Sequence, residues 1–117
     1  MARPHHKLEV WKRSLNFVTK IYEITAKFPA DEKFGLVSQM RRAAVSIPSN
    51  IAEGDDLGSN KQAVRHFYIA KGSAAEVLTQ AIIAVEIGYI DKKSFEYIEK
   101  ERSIISGMLT RLIKARS

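Results

Sequence analysis

Apolar residues recur at spacings of three and four along almost the whole chain, and the pattern breaks only around Pro29, around Gly54 to Gly58 and around Gly88. This predicts four helices joined by short turns, with no competing strand signal. In the first helix, placed over about 7–28, Leu8, Trp11, Leu15, Val18 and Tyr22 fall on one stripe. Phe17, Ile21, Ile24 and Phe28 fall on another, roughly 140° away at about 100° per residue. An isolated bundle needs one apolar face per helix, so the second stripe, Phe17, Ile21, Ile24 and Phe28, is read as an oligomer contact. The alternative is a helix that touches two neighbours across one wide face.

The second helix is placed over about 32–53, after Pro29, with Asp31 as its N-cap and Glu32 near the positive end of its dipole. Val37, Met40, Ala44, Ile47 and Ile51 stack on one face, opposite a polar line of Gln39, Arg42, Ser46, Asn50 and Glu53. Pro48 lacks an amide hydrogen and predicts a kink or a junction of two helices, and the unbroken apolar phase favours the kink. Gly54 is read as the left-handed residue that ends this helix. Ser59 with Gln62 forms a capping box for a third helix over about 60–88, whose expected core face is Val64, Phe67, Ala70, Ala74, Leu78, Ala81 and Val85. The run from Gly72 to Ala75 suits close backbone approach. Asp91 caps a fourth helix, about 92–115, with Phe95, Ile98, Ile105, Met108, Leu109 and Leu112 at helical spacing. Residues 1–6 have no periodicity and read as a frayed tail. The fold expected is an all-α, up-down-up-down four-helix bundle.

At 117 residues the chain suits one domain with one core. The absence of Cys excludes thiolate metal sites, thiol catalysis and disulfides, and agrees with a reducing cytoplasm. The N-terminus lacks the apolar core of a signal peptide, and the most apolar stretch, from Ala74 to Ile90, is broken by Glu76, Gln80 and Glu86, so a cytoplasmic protein without membrane partners is expected. The net charge of +6 favours polyanionic partners, and the excess sits on residues 1–30 and 91–117.

Candidate chemistry is sparse. His5 and His6 lie in the expected tail, and His66 has no neighbour at metal-ligand spacing, so it is read as a solvated surface histidine. Asp55, Asp56, Ser59 and Asn60 lack the ligand alternation of a calcium loop and read as turn residues. No phosphate-binding glycine motif or nucleophile set is present, so no enzymatic activity, cofactor or metal is expected. Arg13, Lys20 and Lys27 repeat every seven residues on the first helix, and Lys93, Lys100, Arg111 and Lys114 supply cations on the fourth. Such lines bind phosphates without reading sequence, although Glu9, Glu23 and Glu96 precede cations by four residues, as in the salt-bridge lacing of an ordinary solvated helix. Trp11, Tyr22 and Phe67 sit on apolar stripes and read as core rather than as stacking platforms. Within the polar line, Arg42, Asn50 and Glu53 are assigned to a subunit contact.

Several motifs together carry a resemblance: Leu8-x-x-Trp11, Phe28-Pro29, Gly35-Leu36-x-x-Gln39-x-Arg41-Arg42-Ala43-Ala44, Ser46-Ile47, Asn50-Ile51-Ala52-Glu53-Gly54, Ala70-x-Gly72-Ser73-x-x-Glu76 and Gly88-Tyr89-Ile90. The chain resembles the 23S rRNA-intervening sequence proteins, four-helix bundles related to the accessory variability determinant proteins of diversity-generating retroelements. The resemblance implies a ring- or barrel-like homopentamer. For the retroelement branch it also implies binding to a reverse transcriptase and to nucleic acid through a basic surface. The reading is therefore a non-enzymatic, homo-oligomeric bundle that binds RNA or other nucleic acid, the alternative being a protein-binding adaptor, for example of a reverse transcriptase.

Overall fold

The computed structural model describes residues 8–117, so the expected tail lies outside the described residues. Four helices follow in order, α1 (Glu9–Thr25), α2 (Leu36–Asp56), α3 (Asn60–Glu86) and α4 (Lys92–Arg116), with a 3-10 turn at Ala30–Glu32 and no strand among the described residues. Each helix packs on its neighbours in chain order, most extensively α2 on α3, and α4 closes back on α1. The result is a rod of 43 × 24 × 21 Å.

Local chemistry sets the ends. Ser59 Oγ accepts from Gln62 N at 3.2 Å, and Asp91 Oδ1 accepts from Ser94 N at 2.8 Å, each satisfying an amide that the first turn leaves open. The start of α2 differs from expectation. Asp31 lies in the 3-10 turn and is no helix cap; Glu32 reaches forward instead, its Oε1 accepting from Leu36 N at 3.1 Å and its Oε2 from the Tyr89 hydroxyl at 3.0 Å. Pro48 is accommodated inside one continuous α2. Gly54 is inside α2 as well, and the left-handed turn residues are Gly58 (φ 81°) and Gly88 (φ 85°). Glycine at 54 answers to packing: a β-carbon there would stand 2.9 Å from His66 Cβ and 3.2 Å from both Ala63 O and Phe67 Cε1.

The two stripes of α1 exchange roles. Phe17, Ile21, Ile24 and Phe28, read from the sequence as an oligomer contact, are buried in the core of the chain itself. Phe17 stacks on Tyr97 of α4 and Phe28 leans on Tyr89. Trp11 and Val18 are half-buried, and Leu15 (40% exposed) and Tyr22 (42%) face outward. Both stripes are apolar at helical spacing, and the approach of α2 and α4 selects between them. Buried Ser14 lies on the inner side, its hydroxyl bonded to Trp11 O at 2.8 Å. The expected α2 face, Val37, Met40, Ala44, Ile47 and Ile51, is wholly buried. On α3 the inner face is rotated toward small residues: Ala63, Ala70, Ala74, Ala81 and Ala84 are buried with Phe67 and Val77, whereas Val64 and Leu78 are half-buried and Val85 is exposed. Small side chains let α2 and α3 approach closely, which favours the alanine-rich face with Phe67 and Val77 over the face of Val64, Leu78 and Val85.

Candidate functional site

The polar line of α2 does not form one surface. Asn50 and Ser46 meet α3 in a hydrogen-bonded seam. Asn50 Nδ2 donates to Ser46 O at 2.9 Å, which turns its Oδ1 toward His66 Nδ1, also at 2.9 Å. With its amide nitrogen given to Ser46 O, Asn50 is left with its Oδ1 as the acceptor facing the His66 ring. Ser73, buried, donates to Ser46 Oγ at 2.8 Å, and Glu53 Oε2 lies 4.0 Å from His66 Nδ1. His66 is thus a partly buried member of a helix-to-helix network, not a solvated histidine. The partner sought for Asn50 in another subunit is on α3 of the same chain, while Glu53 stays exposed beside it. Arg42 stays exposed, with no hydrogen bond or ion pair among the described residues.

The basic lines are likewise sorted by their neighbours. Arg13 is held by the carboxylate of Glu101 on α4, and this hydrogen bond with its ion pair raises the guanidinium pKa further. Lys20 pairs with Glu23 at 3.7 Å and lies over the Tyr97 ring. Lys27 and Lys93 both place charge near Asp91, whose carboxyl is held below the usual range, first by the backbone amide and side chain of Ser94 and then, more weakly, by these cations. The α1 line therefore runs along the seam with α4, where carboxylates offset much of its charge. On α4, Lys93, Lys100, Arg111 and Lys114 are exposed and share one stripe about 31 Å long at 1.5 Å per residue. Lys100, Arg111 and Lys114 have no acidic partner among the described residues.

A third feature was not read from the sequence. Tyr22, Lys33, Phe34, Val37, Ser38, Arg41, Arg42, Val45 and Ser46 line an open cavity of about 580 Å³ where α1, the turn and α2 meet. Three cations and two aromatic rings border it, and no carboxylate does. Arg41 is fixed there: Nε donates to Thr25 Oγ1 at 3.0 Å, Nη2 to Tyr22 O at 3.3 Å, and the guanidinium covers the Tyr22 ring with its carbon 4.4 Å from the centroid. Phe34 is 89% exposed. The available signal was the Lys33-Phe34 pair in a helix break, which has no helical period to explain its aromatic ring. Val45 continues the cavity into an apolar groove lined by Trp11, Leu15, Val18, Pro48 and Ala52. Among the described residues, no three His, Cys, Asp or Glu side chains group to hold a metal, and no helix is long and apolar enough to cross a membrane.

No curated protein matches the chain. Among solved structures, it is similar to a protein of unknown function from the S23 ribosomal protein family of Bacteroides thetaiotaomicron VPI-5482. The two are 25% identical with a TM-score of 0.80, and the match covers 90% of this chain and 98% of that one. The sequence pattern of the 23S rRNA-intervening sequence proteins matches residues 6–111, so the chain belongs to the 23S rRNA-intervening sequence protein family.

Proposed function

We propose that this protein is a non-enzymatic, homo-oligomeric bundle that binds RNA through phosphate contacts. The observation that carries the reading is the α4 stripe, in which Lys100, Arg111 and Lys114 are exposed and unmatched by acids among the described residues. Cations in a line attract a phosphate backbone by counterion release, and repetition around an oligomer multiplies the contacts. The names of the matched family and of the Bacteroides protein's family, one referring to 23S rRNA and one to ribosomal protein, favour RNA over DNA. Two unlike apolar areas support self-association: the α1–α2 groove, and Ile82, Ile83, Val85 and Ile87 on and just after α3. Contacts between two distinct patches are head-to-tail, and where the rotation between copies closes they form rings, of which a pentamer is one.

The test replaces Lys100, Arg111 and Lys114 together with Gln and follows a labelled structured RNA by anisotropy over a salt series. The log-log salt slope should fall by about 3, one per phosphate contact, with the helical content unchanged. A wild-type protein without salt-dependent RNA affinity refutes the reading. The uncovered apolar groove favours one other reading, a protein-binding adaptor, for example for a reverse transcriptase. In that case a specific protein is captured with nuclease present and polynucleotide does not compete.

A further inference from the structure

We infer that the cavity between α1 and α2 is a stacking site for one unpaired nucleotide, with the base on Phe34 and the phosphate on Arg42 and Lys33. The inference rests on the RNA-binding reading but concerns a different surface from the α4 stripe. An 89% exposed phenyl ring is a costly thing to leave in water, and here it stands beside a cavity of about 580 Å³, within the size range of small-molecule sites. Stacking on such a ring is tolerant of base identity.

The charge distribution favours a ligand that is both flat and anionic. Arg42, Arg41 and Lys33 border the cavity without a carboxylate, and the nearby Glu32 is turned to Leu36 N and the Tyr89 hydroxyl. Arg41 is immobilised by Thr25, Tyr22 O and the Tyr22 ring, so it is a preset positive wall. Arg42 has no partner among the described residues and can close on a phosphate, and the Lys33 ammonium lies 5.4 Å from the Phe34 centroid, on the side of the platform. Ser38 offers a hydroxyl for a ribose or base edge, whereas the Ser46 oxygen is already taken by Ser73 and Asn50. A plain anion would use the cations and leave Phe34 without a role, and an acidic peptide would do the same.

The experiment titrates the full-length protein into a single-stranded oligoribonucleotide carrying one 2-aminopurine, and separately into 2-aminopurine riboside monophosphate, with inorganic phosphate and poly-glutamate as competitors. Wild type should quench the fluorescent base. Phe34→Leu should weaken binding by roughly 5- to 100-fold and remove the quench, while Arg42→Gln should keep the quench at saturation and lower the salt slope by about 1. Circular dichroism should match wild type for both. Tighter binding of the strand identifies an RNA unit, and tighter binding of the monophosphate identifies a free nucleotide; either supports the site. Phe34→Leu and Arg42→Gln variants that bind and quench like wild type overturn it, with RNA binding through α4 left standing. Phe34-dependent binding of the monophosphate in a protein that ignores RNA keeps the site and refutes the RNA reading. Absence of binding to either probe, or displacement by phosphate or poly-glutamate with no dependence on Phe34, overturns the inference.

Discussion

The same substitution, Gly→Ala, should have opposite effects at two helical glycines. Neither Gly54 nor Gly72 has a positive φ, so alanine fits either backbone and brings about 1 kcal/mol of helix propensity. Around Gly72 there is no heavy atom within 4 Å of the added β-carbon, and Gly72→Ala should stabilise by most of that amount. At Gly54 the β-carbon would meet His66 Cβ at 2.9 Å and Ala63 O at 3.2 Å, atoms fixed by the α3 backbone. Ordinary carbon contacts need about 3.5 Å or more, so α2 and α3 must part by roughly 0.6 Å, which also strains the Asn50–His66 hydrogen bond. Overpacking of this kind costs about 1–3 kcal/mol, leaving Gly54→Ala between neutral and destabilised by about 2 kcal/mol after the propensity gain of about 1 kcal/mol. The two variants should differ by about 1–3 kcal/mol, or roughly 4–12 °C in Tm. Urea and thermal unfolding at one fixed protein concentration measure this directly, since self-association would otherwise shift Tm. A stabilised Gly54→Ala would refute the close-approach argument, and a destabilised Gly72→Ala would show that a neighbouring copy covers that face.

Three further outcomes are expected. Arg116 Nη2 donates to Asp55 Oδ1 at 2.6 Å, and the Asp55 side chain is only 5% exposed, so Arg116→Ala leaves a buried charge unpaired and should cost about 3 kcal/mol in denaturant unfolding. A loss below about 1 kcal/mol would mean that water reaches Asp55. Asp91→Ala should lower the denaturant midpoint through loss of the α4 cap. Because the folded Asp91 carboxyl lies below its usual range, its contribution is complete above the unfolded pKa and fades as pH falls through the folded one, so wild type should lose its advantage over Asp91→Ala in acid. Tyr89 should ionise above the usual tyrosine range, chiefly because its hydroxyl donates to Glu32, and Glu32→Gln should bring the phenolate absorbance titration back toward normal. Since the folded value is raised, this contact stabilises below the unfolded tyrosine pKa and its contribution is lost as pH rises through the folded one.

Much of the architecture was legible in the chain because it depends on neighbours in sequence. The periodicities located four helices, Ser59 and Asp91 capped two of them as expected, and the α2 face from Val37 to Ile51 pointed inward as its spacing required. These features belong to single turns of helix, where residue type acts directly on its own backbone. Candidate cations could be located by spacing too, but their availability could not, because the acid that engages Arg13 lies 88 residues away at Glu101. The 3-10 turn was missed because Glu32, pulled toward Leu36 and Tyr89, moved the cap of α2 beyond Asp31.

Only the tertiary structure could choose between the two stripes of α1. Each satisfies helical periodicity, and the choice of Phe17, Ile21, Ile24 and Phe28 as core was made by Tyr97, Tyr89 and the helices that carry or precede them. The same holds for Gly54, whose reason is the proximity of α3, for His66, whose partners are on α2, and for the cavity that joins Tyr22 to Phe34 and Arg42. The sequence determined which faces each helix offers, since that is a matter of spacing along one chain. Which face meets a neighbour, and which charges and rings are left to meet a ligand, was decided by packing between helices, where distances are set by residues far apart in the chain.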